Sequence, residues 1–368
     1  MSFGEYQDLE YSPISTIATV LLTLMASISV IFNLSKILSS RVCSLVLLQL
    51  AICYTSTFLY GNPDMQIEKQ IVFITFWEAV FLLFYLLTYN DIDTINDSKR
   101  FFCLLTIPVV VLILMSNILR GAMAYDVSKM GNHMIFYLLT LLPWLMILEK
   151  RVIRLACVLF VLVMSVIALK RSAMVVSIVC ALIFMYREFM KGNESKLNAF
   201  LLSAIMIVST AGLLLISNNI SEGNAIERVE SLEEDEGSGR IERYKEVLSL
   251  LRDEDDGGKL VFGHGYRTVE IMLGESSSAH NDFLEVLYDY GIIGLIIYAL
   301  IHLCLIKRVV YLNRSESPYA EGYIMSYVVF FTMSMVSHLI IYPTYFIILT
   351  SYWGSIEGHL ITIDENER

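Results

Sequence analysis

What most constrains this chain is a succession of apolar runs, each close to the roughly 17 to 25 residues that a helix needs to cross a bilayer. Separated by charged or Pro/Gly punctuation, they fall near 14–34, 42–60, 71–89, 101–119, 133–149, 152–169, 172–186, 198–217, 283–306, 320–340 and 342–356. The pattern predicts an all-α, polytopic integral membrane protein with about eleven transmembrane helices. A hydrophobic content of 56%, only 17% charged residues and a mean hydropathy of +0.63 exclude an ordinary water-soluble enzyme. The sixth and seventh runs share one 35-residue stretch interrupted only by Lys170 and Arg171, which reads as a tight hairpin.

Charge gives the expected orientation, because lysines and arginines in short loops resist translocation. With the N-terminus outside, thirteen such cations fall in inward loops, and five (Lys69, Arg120, Lys129, Lys170 and Arg171) fall in the short outward ones. Residues 218–281 stand apart, with fifteen acidic and seven basic residues, a balance of −8 within a whole-chain net charge of −11. Three parts follow: helices 1 to 8 over 1–217, a large outward loop over 218–281, and helices 9 to 11 with a short inward tail over 282–368. Within the loop, Ile241, Tyr244, Val247, Leu248 and Leu251 recur at helical spacing, so one amphipathic helix is expected to lie over the membrane domain. The acidic balance argues against nucleic acid, which needs a basic stripe to neutralise phosphates. The six cysteines all lie in apolar runs with no C-x-x-C pair, so neither a disulfide framework nor a zinc site is expected. Residues 1–13 carry Glu5, Asp8 and Glu10 and no lysine or arginine, the wrong sign for the start of a cleaved signal peptide, so the first helix is expected to persist.

The segment richest in chemical groups is Gly263-His264-Gly265-Tyr266-Arg267, then Ser278-Ala279-His280-Asn281-Asp282-Phe283-Leu284-Glu285, then Tyr290-Gly291-Ile292-Ile293-Gly294. Asp282 and Glu285 have capping-box spacing, so a helix should begin at or near Asp282. His280 then lies just before a helix N-terminus, where partial positive charge disfavours imidazolium and attracts anions. A neutral histidine there suits a general base; a surface histidine in a serine-rich loop is the plainer reading. Arg171, at the mouth of the hairpin, is either held by an anion or a snorkelling anchor at the headgroups. For Arg240 a local ion pair with Glu242 is the plainer alternative.

Gly-x-Gly, then His-Asn-x-x-Leu-Glu and Gly-Ile-Ile-Gly, at the end of a large outward loop that leads into a late membrane helix, resembles the O-antigen polymerase and ligase superfamily over about residues 150–310. Two further arginines of that family are matched by Arg171, in Lys170-Arg171-Ser172-Ala173, and by Arg240, in Ser238-Gly239-Arg240-Ile241-x-x-Tyr244. Lys170 stands where a small residue is more typical, and Tyr244 where an aromatic, often tryptophan, is usual. The resemblance implies a GT-C-like, metal-independent glycosyltransferase in a bacterial inner membrane, with its active site facing the periplasm and no cofactor. Arg171 and Arg240 would bind the diphosphate of an undecaprenyl-linked oligosaccharide, His280 would act as catalytic base near the acceptor, and Asn281, Tyr244 and Lys170 would support them. Polymerase, working in lipopolysaccharide biosynthesis with a chain-length regulator protein as a further partner, is preferred. Ligase, which transfers the glycan to lipid A-core, is the alternative. The short chain, its tyrosine and phenylalanine content and the lack of an extended basic outward surface favour polymerase.

Several other residues carry competing readings. Glu78, near the middle of the third run, is either a cavity residue or a buried partner of a helix hydroxyl. His302 and His338 read as satisfied core histidines, and His133 and His359 carry no further signal. Glu233–Glu236 and Asp253–Asp256 invite a metal, but lack calcium-loop spacing and read as solvated loop faces, with Gly257-Gly258 as a turn. A transporter or flippase is disfavoured because mid-span charges are scarce and no matched pair of Gly/Pro-broken helices is present. If residues 218–281 are periplasmic, Ser238→Cys should react with an impermeant maleimide in cells with a permeabilised outer membrane, above the background of the six native cysteines. Protection there would overturn the topology.

Overall fold

The computed structural model describes residues 13–61, 67–123, 132–191, 240–274, 278–340 and 343–366. Among them every regular element is a helix, as expected where backbone polar groups must be satisfied within each crossing segment. Among the described residues four helices are long and apolar enough to cross a membrane: Arg41–Tyr60, Gln70–Tyr89, Ile95–Ile118 and Asp282–Arg314. Thr19–Phe32, Ile135–Leu145 and Ala320–Val336 are shorter apolar helices. Large apolar side chains, Phe32, Phe58, Ile118 and Phe331 among them, lie exposed on these helices, as on a surface that faces lipid rather than water.

The apolar runs locate the helices well and their ends less well. The fifth run, 133–149, yields only the 11-residue helix Ile135–Leu145, which spans roughly 16 Å and is less than a hydrocarbon core. Turns at both ends take up the remainder, with Asn132 N donating to Ala168 O at 2.8 Å. The last run extends to Pro343–Asn366, well beyond 356. The expected hairpin is present: the helix Arg151–Ile167 stops, Leu169 takes φ +49°, and Arg171–Lys191 begins. The eighth run, 198–217, and the first acidic cluster, 233–236, lie outside the described residues.

The chain divides into two compact units. The first comprises residues 1–95, 246–308 and 339–368. In it the helices Pro343–Asn366 and Ile67–Tyr89 pack along one another, and two glycines let them close. A Cβ at Gly354 would meet Phe81 O at 2.3 Å, and one at Gly358 would meet Tyr85 O at 2.4 Å. This small-x-x-x-small spacing is how membrane helices approach backbone to backbone. Trp77 and Phe346 fill the space beside it, their ring centroids 5.1 Å apart. The fully buried Glu357 accepts a forked pair of hydrogen bonds from Arg308, one of them from Nε to Oε1 at 2.6 Å. Glu78 is buried in this unit too, and its Oε2 has no hydrogen-bond partner among the described residues.

The second unit comprises residues 96–245 and 309–338. The helices Arg151–Ile167, Arg171–Lys191, Ile135–Leu145 and Ala320–Val336 pack together in it. Phe102 stacks on Trp144 at 4.5 Å, Arg154 pairs with Glu321 at 2.8 Å, and Arg187 donates to Asn313 Oδ1 at 2.9 Å.

The helix Asp282–Arg314 is broken once, at Gly291, with φ 69° and ψ −171°. That conformation is essentially confined to glycine. A Cβ there would also lie 2.3 Å from Val261 O. Gly291→Ala should therefore cost about 1 to 3 kcal/mol, read as a lower melting temperature and a smaller monodisperse peak of detergent-solubilised protein. An unchanged melting temperature would place the break elsewhere.

Candidate functional site

The signature segment around His280 belongs to the first unit, and its two glycine motifs pack on each other. His264 N donates to Tyr288 O at 3.1 Å and Gly265 N to Asp289 O at 2.8 Å, so Gly263-His264-Gly265 runs along the last turn before the helix break. Gly263, at φ +85°, permits this approach, since a Cβ there would meet Asp289 O at 2.2 Å. The buried Asp289 carboxylate accepts from Arg267 N at 2.8 Å and Val269 N at 3.0 Å. From the helix Arg41–Tyr60, Ser56 Oγ donates to Asp289 O at 2.7 Å, and Thr57 Oγ1 accepts from Tyr266 N at 3.1 Å.

His264 extends this joint. Its ring stacks on Tyr288 with centroids 4.1 Å apart and planes 6° apart. Both ring nitrogens face acceptors, Nδ1 at 3.0 Å from Tyr288 O and Nε2 at 2.7 Å from Glu254 Oε2. The His264 N–H, then the backbone N–H of Asp256, hold the Glu254 carboxyl below the usual carboxylate range. Asp253 pairs with Arg252 at 3.1 Å, and Asp256 caps the short helix Gly257–Phe262 by accepting from Gly258 N at 2.8 Å. The Asp253–Asp256 run therefore ties together a turn, and Gly257-Gly258, expected as a turn, opens a helix because Asp256 caps it.

Below this lies a small core of Val247, Val269, Ala279 and Tyr288, closed by Leu250, Leu251, Leu273 and Leu284. The amphipathic helix, Arg240–Arg252, contributes Val247 and Leu251 to it, whereas Ile241 and Leu248 are exposed. Its buried stripe is narrower than the spacing suggests.

His280 sits between this core and the helix Asp282–Arg314, half-buried and at φ +52°. Left-handed backbone at a non-glycine residue is strained and recurs at functional sites. Its neighbours over-determine it. Asn281 is the N-cap, its Oδ1 accepting from Phe283 N at 3.0 Å and Leu284 N at 3.2 Å. Glu285 Oε1 accepts from Ala279 N at 2.6 Å. The cap is thus one residue earlier than the Asp-x-x-Glu spacing implies. Asp282 is used otherwise and accepts from Leu339 N at 2.9 Å.

Arg171 and Arg240 fall in the second unit. Each is the first residue of its helix, Arg171–Lys191 and Arg240–Arg252, and each is half-buried. Burial, and then the positive charges of Arg171 and Arg243, press the Arg240 guanidinium below the usual arginine range, while Tyr244 acts the other way. Two guanidinium groups are thus held within electrostatic reach of each other where two helix N-termini supply further partial positive charge. Tyr244 Oη donates to Met335 O at 3.2 Å and braces the first turn of the Arg240 helix. Lys170 contacts His133, Nζ to Nε2 at 3.0 Å. His302 is a core residue as expected, stacked on Phe283 and edge-on to Tyr298. Among the described residues no group of His, Cys, Asp and Glu is arranged to hold a metal ion.

With this geometry in view, residues 155–299 match the family described as O-antigen ligase. The match takes in Arg171, Arg240, the Gly263–Gly265 motif, His280 and Gly291, and residues 1–154 lie outside it. It bears out the resemblance to the O-antigen polymerase and ligase superfamily, and with the long apolar helices it marks a membrane protein. No match was found among curated proteins.

The Glu254 contact gives a pH prediction. Its carboxyl is lower in the folded chain than the ordinary value of about 4.3, so its contribution is complete above that value and is lost as pH falls through the lowered one. The melting-temperature gap between wild type and Glu254→Gln in detergent should be widest near neutrality and narrow towards pH 3. A constant gap would contradict the assignment.

Proposed function

We propose that this protein is a multi-pass glycosyltransferase of a bacterial inner membrane that works as an O-antigen polymerase on the periplasmic face. It moves a growing glycan from undecaprenyl diphosphate to the next lipid-linked repeat unit. The observation that carries this reading is the pairing of Arg171 and Arg240, each opening a helix and each within the other's field. Two like charges in each other's field favour an anion between them, and planar guanidinium forks suit diphosphate oxygens. In this reading the arginines bind the donor diphosphate and stabilise it as it leaves, so that a metal is not needed for that step. His280 takes the proton of the acceptor hydroxyl, with the backbone on either side of it held by the Asn281 cap and by the Glu285 bond to Ala279. Lys170 and Tyr244 support the arginines, and Glu78, buried in an apolar span, is kept as a polar group of the interior.

The family description favours a second reading, ligase, in which the same donor groups deliver the chain to lipid A-core. The lipopolysaccharide of a deletion strain tests the choice: core carrying one repeat unit indicates polymerase, and core carrying none indicates loss of ligation or of an earlier step.

Arg171→Ala and Arg240→Ala should each abolish long chains at near-normal protein levels, and Arg171→Lys should rescue poorly because the fork is lost. His280→Gln should insert and bind donor yet transfer at least about a hundredfold more slowly, the low end of general-base catalysis. Purified wild type should tolerate EDTA when assayed with synthetic lipid-linked repeats. Full activity in Arg171→Lys, near-normal turnover in His280→Gln, or activity lost to EDTA and restored by Mg²⁺ would each overturn the corresponding role.

A further inference from the structure

His133, which carries no signal in the sequence, is set against Lys170, the residue before Arg171, by a buried asparagine. Asn132 is fully buried, and its hydrogen bonds hold three segments of the second unit together. Its N–H donates to Ala168 O at 2.8 Å, in the turn that leads to Lys170. Its amide nitrogen donates to Ile113 O at 3.2 Å and Asn117 Oδ1 at 2.6 Å, in the helix Ile95–Met123. Its Oδ1 accepts from Met134 N at 3.0 Å, which fixes the turn that carries His133. Asn117 closes the arrangement by donating to Ile167 O at 3.2 Å. His133 and Lys170 are thereby set face to face, Nε2 to Nζ at 3.0 Å, with the ammonium 5.9 Å from the centre of the Phe136 ring.

An ammonium group only donates hydrogen bonds, so His133 Nε2 is the acceptor and that nitrogen carries no proton in this state. The next residue after Lys170 is Arg171, and Arg240 lies within its field. Each phosphoryl group of a diphosphate presents several acceptor oxygens, more than one guanidinium fork satisfies.

We infer that His133 and Lys170 form a second limb of the anion site, which grips one phosphoryl group while Arg171 and Arg240 grip the other. This rests on the reading of the arginines as the diphosphate clamp. When the anion arrives, Lys170 turns its protons to phosphoryl oxygens, and His133 Nε2 takes a proton from solvent and donates it to the same group. Binding therefore takes up a proton, and affinity through this limb rises as pH falls, by at most about tenfold per pH unit. Among the charged and titratable groups that bear on this site are Lys170, Arg171, Arg240, Arg243 and Tyr244.

The test is calorimetric titration of the full-length protein in detergent with inorganic pyrophosphate, between pH 6 and 8, in two buffers of different ionisation enthalpy. Wild type should bind with proton uptake beyond that of pyrophosphate itself. His133→Ala, which removes an exposed ring, should weaken binding at pH 6 by at least about tenfold, the loss expected for one charged hydrogen bond, and should lose the extra uptake. Lys170→Met should weaken binding similarly. If wild type binds, Arg171→Ala does not, and His133→Ala matches wild type in affinity and in proton uptake, the second limb is wrong and the arginine clamp stands. If wild type does not bind pyrophosphate at all, clamp and limb fall together.

Discussion

In the first unit, much depends on one backbone contact, the run of Gly263-His264-Gly265 along Tyr288 and Asp289. It requires that no side chain intervene, which glycine at 263 and at 291 ensures from either side. Because the contact is made, the helix Asp282–Arg314 breaks at Gly291 and its first two turns are held as a separate piece. Asp289 then becomes a hub: its carboxylate orders the turn at Arg267 and Val269, and its carbonyl receives Gly265 and Ser56. Three stretches distant in sequence, around residues 56, 265 and 289, are locked into one joint, and the piece that carries His280 at its start inherits that rigidity.

Electrostatics in the second unit follows a different principle. Its buried or half-buried cations mostly sit where the chain supplies an answer: Arg154 faces Glu321, and Arg187 faces Asn313. Arg240 lies in the field of Tyr244, which favours its charge, and of two other arginines, which oppose it. Helix N-termini normally welcome acids, and placing guanidinium groups there runs against that preference. Such placement costs local stability.

Much of this was legible from the sequence, for identifiable reasons. The apolar runs located the described helices because hydropathy reports burial directly, and Lys170-Arg171 marked the hairpin because charge is costly inside a span. The Gly-x-Gly and Gly-Ile-Ile-Gly motifs were visible, but not that they pack on each other, since sequence spacing is silent about partners. Asp282 looked like a cap by spacing, yet Asn281 competes for the same role one position earlier, and only geometry shows that Asp282 is occupied with Leu339. His133 could not have been found this way. Its placement depends on Asn132 reaching Ala168, a contact between residues 36 apart. Gly354 and Gly358 likewise mark a close approach only once the helix Ile67–Tyr89 is seen against them.

The left-handed backbone at His280 bears on how this protein can be improved in the laboratory. Selection for thermal robustness alone would drift towards glycine or asparagine at that position, since both accept such a conformation with less strain. It would do the same wherever function is held against local preference. A stabilised scaffold for crystallisation can therefore be obtained most cheaply by spoiling the residue of greatest interest. Under the function proposed above, screens that rank variants by melting temperature need a parallel assay of sugar transfer, so that variants altered at His280 are not enriched on stability alone.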